Sequence, residues 1–88
     1  MTAAQRHLEK IHTLRCVVHH VCYGELILAR EAHHLEFVRG PHSPWATIPL
    51  CKSCHDELHQ SRRRAFYLAH KLDDVKLLAW TIKLLEAA

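Results

Sequence analysis

Long apolar runs are missing from this sequence, and so is any segment that resembles a signal peptide. No apolar stretch approaches the roughly 18 residues that a membrane-spanning helix needs. The first residues, Met1 to His7, are polar, and no apolar segment follows them. Internal repeats and low-complexity tracts are also missing. We therefore expect a soluble, cytoplasmic protein rather than a membrane or exported one.

The chain is also short. Its 88 residues predict a single domain, 1–88, and a domain of this size buries too little apolar surface for a comfortable margin of stability. A staple such as a structural metal is expected, and the four cysteines can supply it. Without an export signal, a reducing compartment favours metal binding by thiolates over disulfide bonds.

Charge of one sign is not in large excess. The formal net charge of +3 and the pI near 8.8 permit a polyanionic partner without requiring one. The basic residues are concentrated in Arg62-Arg63-Arg64, with Lys52 earlier in the same region. The ten histidines occur as dispersed pairs and singles rather than one run, which favours their interpretation as ligands.

Hydrophobic periodicity and chain breakers predict an α+β fold that is mostly helical. Ser53 is the predicted N-cap of the helix that follows the second strand, and Pro49 makes that strand an edge. The predicted elements are a helix over 3–14, a turn around Cys22-Tyr-Gly24, a strand over 26–33, a loop over 37–46, a strand over 47–50, a helix over 53–72 and a last helix over 73–87.

The last predicted helix has a wide apolar face. Its residues at helical spacing are Val75, Leu78, Ile82 and Leu85, and the face is widened by Leu77, Trp80 and Leu84. Packing within the domain is the simpler interpretation, because wide apolar faces usually turn inward. The alternative is a homodimer or another protein partner bound through this helix.

Two pairs of cysteines predict a structural zinc site with four thiolate ligands: Cys16, Cys22, Cys51 and Cys54. Tetrahedral zinc is commonly held by close cysteine pairs of this kind, so Cys51-Lys-Ser-Cys54 is a strong signal. Cys16 and Cys22 form a weaker one, because five intervening residues are many for a zinc knuckle. His19 or His20 can replace one sulfur, and buried free thiols are the alternative for the first pair.

The histidines predict a second site. His55 and His59 are four residues apart, so on a helix their imidazoles project from one face and can bind one ion. Neighbouring strand residues face opposite ways, so only one of His33 and His34 can complete this site, while the other stays free to take a proton from water. Glu31 lies on the His33 side and can orient a ligand imidazole. Solvated surface histidines are the alternative.

The pattern Glu31-x-His33-His34 followed by His55-x3-His59 resembles the core of HNH, or His-Me finger, endonucleases, especially the nuclease domains of DNase colicins. With its cysteine pairs, the run from Ile48 to His59 is similar to zinc-bearing HNH proteins encoded by lambdoid phages and prophages. The resemblance covers about residues 16–60, and the helices over 3–14 and 73–87 flank it.

The resemblance implies a ββα-metal core with treble-clef zinc knuckles. It implies His34 as the general base and His33, His55 and His59 as ligands of a single divalent ion, such as Mg²⁺, Mn²⁺, Ni²⁺ or Zn²⁺, at the scissile phosphate. Ala46 stands where the family has an asparagine that braces the loop behind the base. Thr47, Ser43 or His42 would have to replace it.

Two functions follow as hypotheses. The first is a metal-dependent endonuclease that cuts DNA, with RNA left open, and has weak sequence specificity. Arg62, Arg63 and Lys52 would contact phosphates in that case, although a solvated basic face is an equal alternative. The second is a zinc-stabilised nucleic-acid-binding or adaptor module that does not cut, and Ala46 favours it.

Overall fold

The computed structural model describes residues 1–35, 43–60 and 63–88. Within them the fold is α+β and mostly helical, as predicted, with a two-stranded antiparallel sheet. None of the described helices is both long enough and apolar enough to cross a bilayer. The elements in order are α1 (Ala3–Thr13), α2 (Val17–Tyr23), β1 (Glu31–His34), β2 (Thr47–Leu50), α3 (Lys52–Gln60), α4 (Arg63–His70) and α5 (Asp74–Ala87).

Helix α1 begins at a capping box. The Thr2 hydroxyl accepts a hydrogen bond from the Gln5 backbone N–H at 3.1 Å, and the Gln5 side chain accepts one from the Thr2 N–H at 2.7 Å. These bonds satisfy two of the backbone donors that a helix start leaves open. The predicted helix over 3–14 is therefore confirmed to within one residue.

The segment between α1 and β1 differs from the prediction. The expected turn between Cys16 and Cys22 is replaced by helix α2, which ends at Gly24 in the left-handed region with φ 64°. The strand predicted over 26–33 is also wrong in its first half. Residues there pair only with the chain after α1, through a bridge between Arg15 and Leu28, and Arg30 with φ 66° separates them from β1.

Strands β1 and β2 pair with His33 opposite Ile48 and His34 opposite Thr47. Ile48 and Leu50 belong to the main core with residues of α2, α3, α4 and α5, whereas no residue of α1 does. Because α1 contacts both strands, it covers the other face of the sheet. Alternation along a strand then places Glu31 and His33 on the α3 side and His34 on the α1 side.

The helix predicted over 53–72 is described in two parts, α3 and α4, and residues 61–62 between them lie outside the described residues. The predicted N-cap is wrong, because α3 begins at Lys52 and so includes Ser53. The Ser53 hydroxyl instead lies 3.2 Å from the Cys51 sulfur.

The buried face of α5 is the predicted one in part, because Leu77 is in the core and Leu78, Trp80 and Leu84 pack against it. Val75 and Ile82 remain 69% and 51% exposed, whereas Leu77 and Thr81 are fully enclosed. The Thr81 hydroxyl donates to the Leu77 carbonyl at 2.8 Å, which allows a polar side chain to be buried at low cost. The hydropathy pattern therefore included two residues that stay exposed, Val75 and Ile82, and missed the buried Thr81.

Helix α5 begins where predicted, and its start gives a stability prediction. The Asp73 carboxylate accepts a hydrogen bond from the Lys76 N–H at 2.7 Å. We expect Asp73→Ala to lower the free energy of unfolding by about 1 kcal/mol, because this N–H loses its acceptor. Urea denaturation measures the change, and Asp73→Asn should retain most of the stability. An equal loss in both variants would contradict a capping role.

Candidate metal centres

Three cysteines and one histidine form a compact cluster, which we call the Cys/His cluster: Cys16, His19, Cys51 and Cys54. One ligand atom from each lies within 4.8 Å of all the others. His19 Nδ1 is 3.4 Å from the sulfurs of Cys16 and Cys54 and 3.6 Å from that of Cys51. Tetrahedral zinc, with bonds of about 2.3 Å to sulfur and 2.0–2.1 Å to nitrogen, places these atoms about 3.5 Å apart. The donor set and its spacing fit structural zinc.

Each half of the cluster comes from the start of a helix. Cys16 precedes α2 and His19 lies in its first turn, while Cys51 follows β2 directly and Cys54 lies in the first turn of α3. A separation of three residues there brings two side chains to the same side of the chain. The cluster thus joins α2 to the end of the hairpin and α3.

Cys22 does not belong to this cluster, so the prediction of four cysteine ligands is corrected. Helix α2 carries Cys22 about 9 Å along its axis from Cys16, whereas His19 lies within one turn. Of the two histidine alternatives, His19 takes the place and His20 instead packs against Trp80, with ring centroids 5.6 Å apart. The signal was present in the sequence, because Cys16-x2-His19 has the same spacing as Cys51-x2-Cys54.

The thiol pKa values of two cysteines in the cluster are shifted in opposite directions. Hydrogen bonds from Cys54 and His19 lower the pKa of the Cys16 thiol, against the opposing effect of burial. The Cys54 pKa is raised, chiefly by its hydrogen bond to Cys16 and by burial. One thiolate is therefore already favoured at this place, and thiolate is the form that binds zinc.

Three imidazoles form a second cluster, which we call the histidine cluster: His33, His55 and His59. One ring nitrogen from each lies within 4.8 Å of the other two. The Nε2 atoms of His55 and His59 are 3.0 Å apart, near the separation of about 3.3 Å expected for two nitrogens on one tetrahedral ion. His33 reaches them from β1, with ring centroids 5.2 and 5.3 Å away. This donor set can hold a divalent transition metal.

Access to the histidine cluster comes from the α3 side. His33 is buried and only 4% exposed, whereas His55 is half-buried and His59 is exposed. An ion held here would have protein on one side and solvent on the other. Three protein ligands with open coordination positions are typical of catalytic rather than structural metal sites.

Glu31 lies behind this cluster. Its carboxylate is beside the imidazole of His55 and not beside that of His33, the ligand nearest to it in sequence. Its Oε2 is 3.6 Å from Nδ1 of His55, while Nε2 of His55 faces His59. Glu31 Oε2 is enclosed and makes no hydrogen bond within the described part of the chain. A carboxylate on the outer nitrogen of a ligand imidazole fixes its orientation and tautomer.

His34 is not a member of the histidine cluster. It lies next to His33 on β1, opposite Thr47, and strand alternation turns it to the other face. The chain therefore separates the two adjacent histidines, as the sequence predicted.

The turn that precedes β2 is braced by hydrogen bonds of its own residues. Ala46 is buried, and its carbonyl accepts a hydrogen bond from the Leu35 N–H at 2.8 Å. The Thr47 hydroxyl donates to the Pro44 carbonyl at 2.9 Å, and the Ser43 hydroxyl accepts from the Trp45 N–H at 3.3 Å. Two of the three predicted substitutes thus hold this turn, and His42 lies outside the described residues.

The predicted phosphate-binding residues are only partly described. Lys52 is exposed and forms an ion pair with Asp56 at 3.0 Å. Arg63 is exposed at the start of α4 and lines a cleft with Arg64 and Tyr67. Arg62 lies outside the described residues. These positions leave their role in nucleic-acid binding a prediction.

Comparisons with known proteins add no relative to this picture. No protein-family model matches the chain, and neither a curated protein nor a solved structure matches it.

Proposed function

We propose that this protein is a metal-dependent endonuclease of the HNH, or His-Me finger, type that hydrolyses phosphodiester bonds of DNA. The convergence of His33, His55 and His59 on one point, with His34 next to them on the strand but outside the cluster, carries this proposal. The order β1, β2, α3, with zinc-type ligands before α2 and at the start of α3, supports a treble-clef version of the ββα-metal core.

The histidine cluster would supply Lewis-acid stabilisation to the scissile phosphate and the leaving 3′ oxygen when it holds a divalent ion. Its ligands come from β1 and α3, which hold the three imidazoles in a fixed relation. The site would therefore need little rearrangement to bind the ion. Glu31 would keep His55 in the tautomer that leaves Nε2 free to bind the ion.

His34 would act as the general base that takes a proton from the attacking water. In an in-line displacement, the attacking and leaving oxygens lie on opposite sides of phosphorus. His34 adjoins the ligand His33 on β1, so the base and the ion would be one residue apart along the strand when they act on one phosphate.

A non-cutting adaptor that binds nucleic acid is the second candidate. Ala46 favours it, because alanine cannot make the hydrogen bonds of the family asparagine. The bonds of Thr47 and Ser43 in the same turn favour the nuclease. An adaptor would bind DNA and leave it intact.

Plasmid nicking tests the proposal. Purified, zinc-loaded protein is incubated with supercoiled plasmid and Mg²⁺, Mn²⁺ or Ni²⁺, beside His59→Ala. We expect nicking by the wild type that EDTA abolishes and that His59→Ala lacks. Intact plasmid with all three metals, together with retained DNA binding, would establish the adaptor instead.

The role of Glu31 gives a separate prediction. We expect Glu31→Gln to weaken binding of Ni²⁺ or Zn²⁺ at the histidine cluster by about 10- to 100-fold, because His55 loses the carboxylate behind it. Competition with a chromophoric chelator measures the affinity. Asp56→Asn is the matched control, since Asp56 follows His55 on α3 but pairs with Lys52. Equal metal affinity of the wild type and Glu31→Gln would contradict a role of Glu31 in the site.

A further inference from the structure

An exposed aromatic side chain lies just beyond the strand that pairs with His34. Trp45 is 53% exposed, although its neighbour Ala46 is only 7% exposed. Thr47, two residues after Trp45, is the partner of His34 across the sheet. Two residues of chain span at most about 7 Å, so Trp45 lies close to the proposed general base.

The Trp45 ring is held in place from one side. The His7 imidazole of α1 packs against it, with ring centroids 4.7 Å apart at an angle of 45°. His7 Nε2 is enclosed and makes no hydrogen bond in the described part of the chain, so the ring contact is what fixes this pair. The Trp45 N–H bond to Ser43 anchors the backbone beneath it. A pre-oriented, half-exposed indole results.

The contact that the structure describes for this ring is with a histidine, and that histidine has a lysine in its neighbourhood. Lys10 is near enough to His7 to lower its pKa, second to the effect of burial. Binding patches for proteins usually combine several apolar side chains within a polar rim. A single exposed aromatic face that packs on a histidine instead matches sites for single-stranded nucleic acid, in which bases stack on aromatic side chains.

We propose that Trp45 is a stacking platform for an unpaired nucleobase adjacent to the cleaved phosphate, so that the substrate class is single-stranded DNA or duplex DNA with locally unpaired bases. This inference rests on the proposed function. A base within a duplex is stacked on both faces and cannot lie on the indole, whereas an unpaired one can. Every base has a π face, so the platform gives structural preference without sequence preference.

Fluorescence tests the platform apart from cleavage. The chain has two tryptophans, so Trp80→Phe leaves Trp45 as the only indole, and His34→Ala in the same protein keeps the DNA intact. An oligo-dT strand, the same strand made abasic, and a blunt-ended, fully paired duplex are titrated in turn. We expect strong quenching by oligo-dT and little by the other two.

Affinity gives the second measurement. In the His34→Ala background with Trp80 retained, we expect Trp45→Ala to weaken oligo-dT binding by about 5- to 100-fold and Trp45→Phe to retain most of it. Circular dichroism checks that each variant is folded. Unchanged affinity in folded Trp45→Ala would overturn the inference, as would equal quenching by the fully paired duplex, and Trp45 would then only pack against His7.

The outcomes separate this inference from the nuclease proposal. Quenching by oligo-dT without nicking by the wild-type protein would support the stacking role of Trp45 and contradict the endonuclease proposal. Nicking with no effect of Trp45→Ala on oligo-dT binding would support the endonuclease proposal and contradict the stacking role.

Discussion

Replacing Cys54 by alanine is expected to abolish cooperative folding of this protein. Cys54 joins the start of α3 to Cys16 and His19 of the Cys/His cluster. Structural zinc contributes roughly 10–16 kcal/mol of binding free energy in small domains, which is comparable with a total stability of about 5–15 kcal/mol. We therefore expect Cys54→Ala to show no cooperative thermal transition by circular dichroism. Strong chelators should have the same effect on the wild type.

Cys22→Ala is the matched control for this prediction. Cys22 is half-buried beside the same core but lies outside the Cys/His cluster, and burial raises its thiol pKa. We expect this variant to keep its zinc and to unfold cooperatively, with a loss of no more than about 1–2 kcal/mol. Loss of zinc from Cys22→Ala, or its retention by Cys54→Ala, would show that the ligands are assigned wrongly.

The second large effect concerns His34. We expect His34→Ala to reduce the rate of plasmid nicking by about 10²- to 10⁴-fold, because a positioned general base contributes that much. Metal binding should be unchanged, since His34 lies outside the histidine cluster. Added imidazole should restore part of the rate by replacing the missing base.

His12→Ala provides the control for His34. His12 is exposed on α1, where its ring contacts the Leu8 carbonyl at 2.7 Å, and its loss should leave nicking unchanged. Equal rates for His34→Ala and the wild type would contradict the role of His34. Loss of the second metal in His34→Ala would show that this histidine acts as a ligand instead.

Local signals in the sequence predicted the parts of the fold that depend on local chemistry. The start of the last helix at Asp73, Thr47–Leu50 as a strand and the Cys51-x2-Cys54 pair were all found in this way. The fourth zinc-type ligand was not, because choosing between Cys22 and His19 required knowing that α2 is a helix. A short helix with β-branched residues, Val17 and Val18, has weak local preference, and tertiary packing decides it.

Long-range contacts account for the other differences. Leu28 pairs with Arg15, so it lies outside β1, although the sequence pattern alone assigned this segment to the same strand as His33. Glu31 contacts His55 across two elements, which sequence spacing cannot show. The buried side of α5 depends on the elements that pack against it. A hydropathy pattern does not predict that Thr81 is buried, because threonine is polar. Strand alternation and helical spacing are local rules, and they predicted that one of His33 and His34 meets His55 and His59; the resemblance to HNH endonucleases implied that it is His33.

Native mass spectrometry tests the central claim most directly, namely that one chain carries two separate metal centres. Protein loaded with zinc is weighed beside Cys54→Ala, His59→Ala and Cys22→Ala. We predict two ions in the wild type and in Cys22→Ala, and one ion in His59→Ala. At most one ion in the wild type, or masses that show disulfides in place of zinc, would contradict the account.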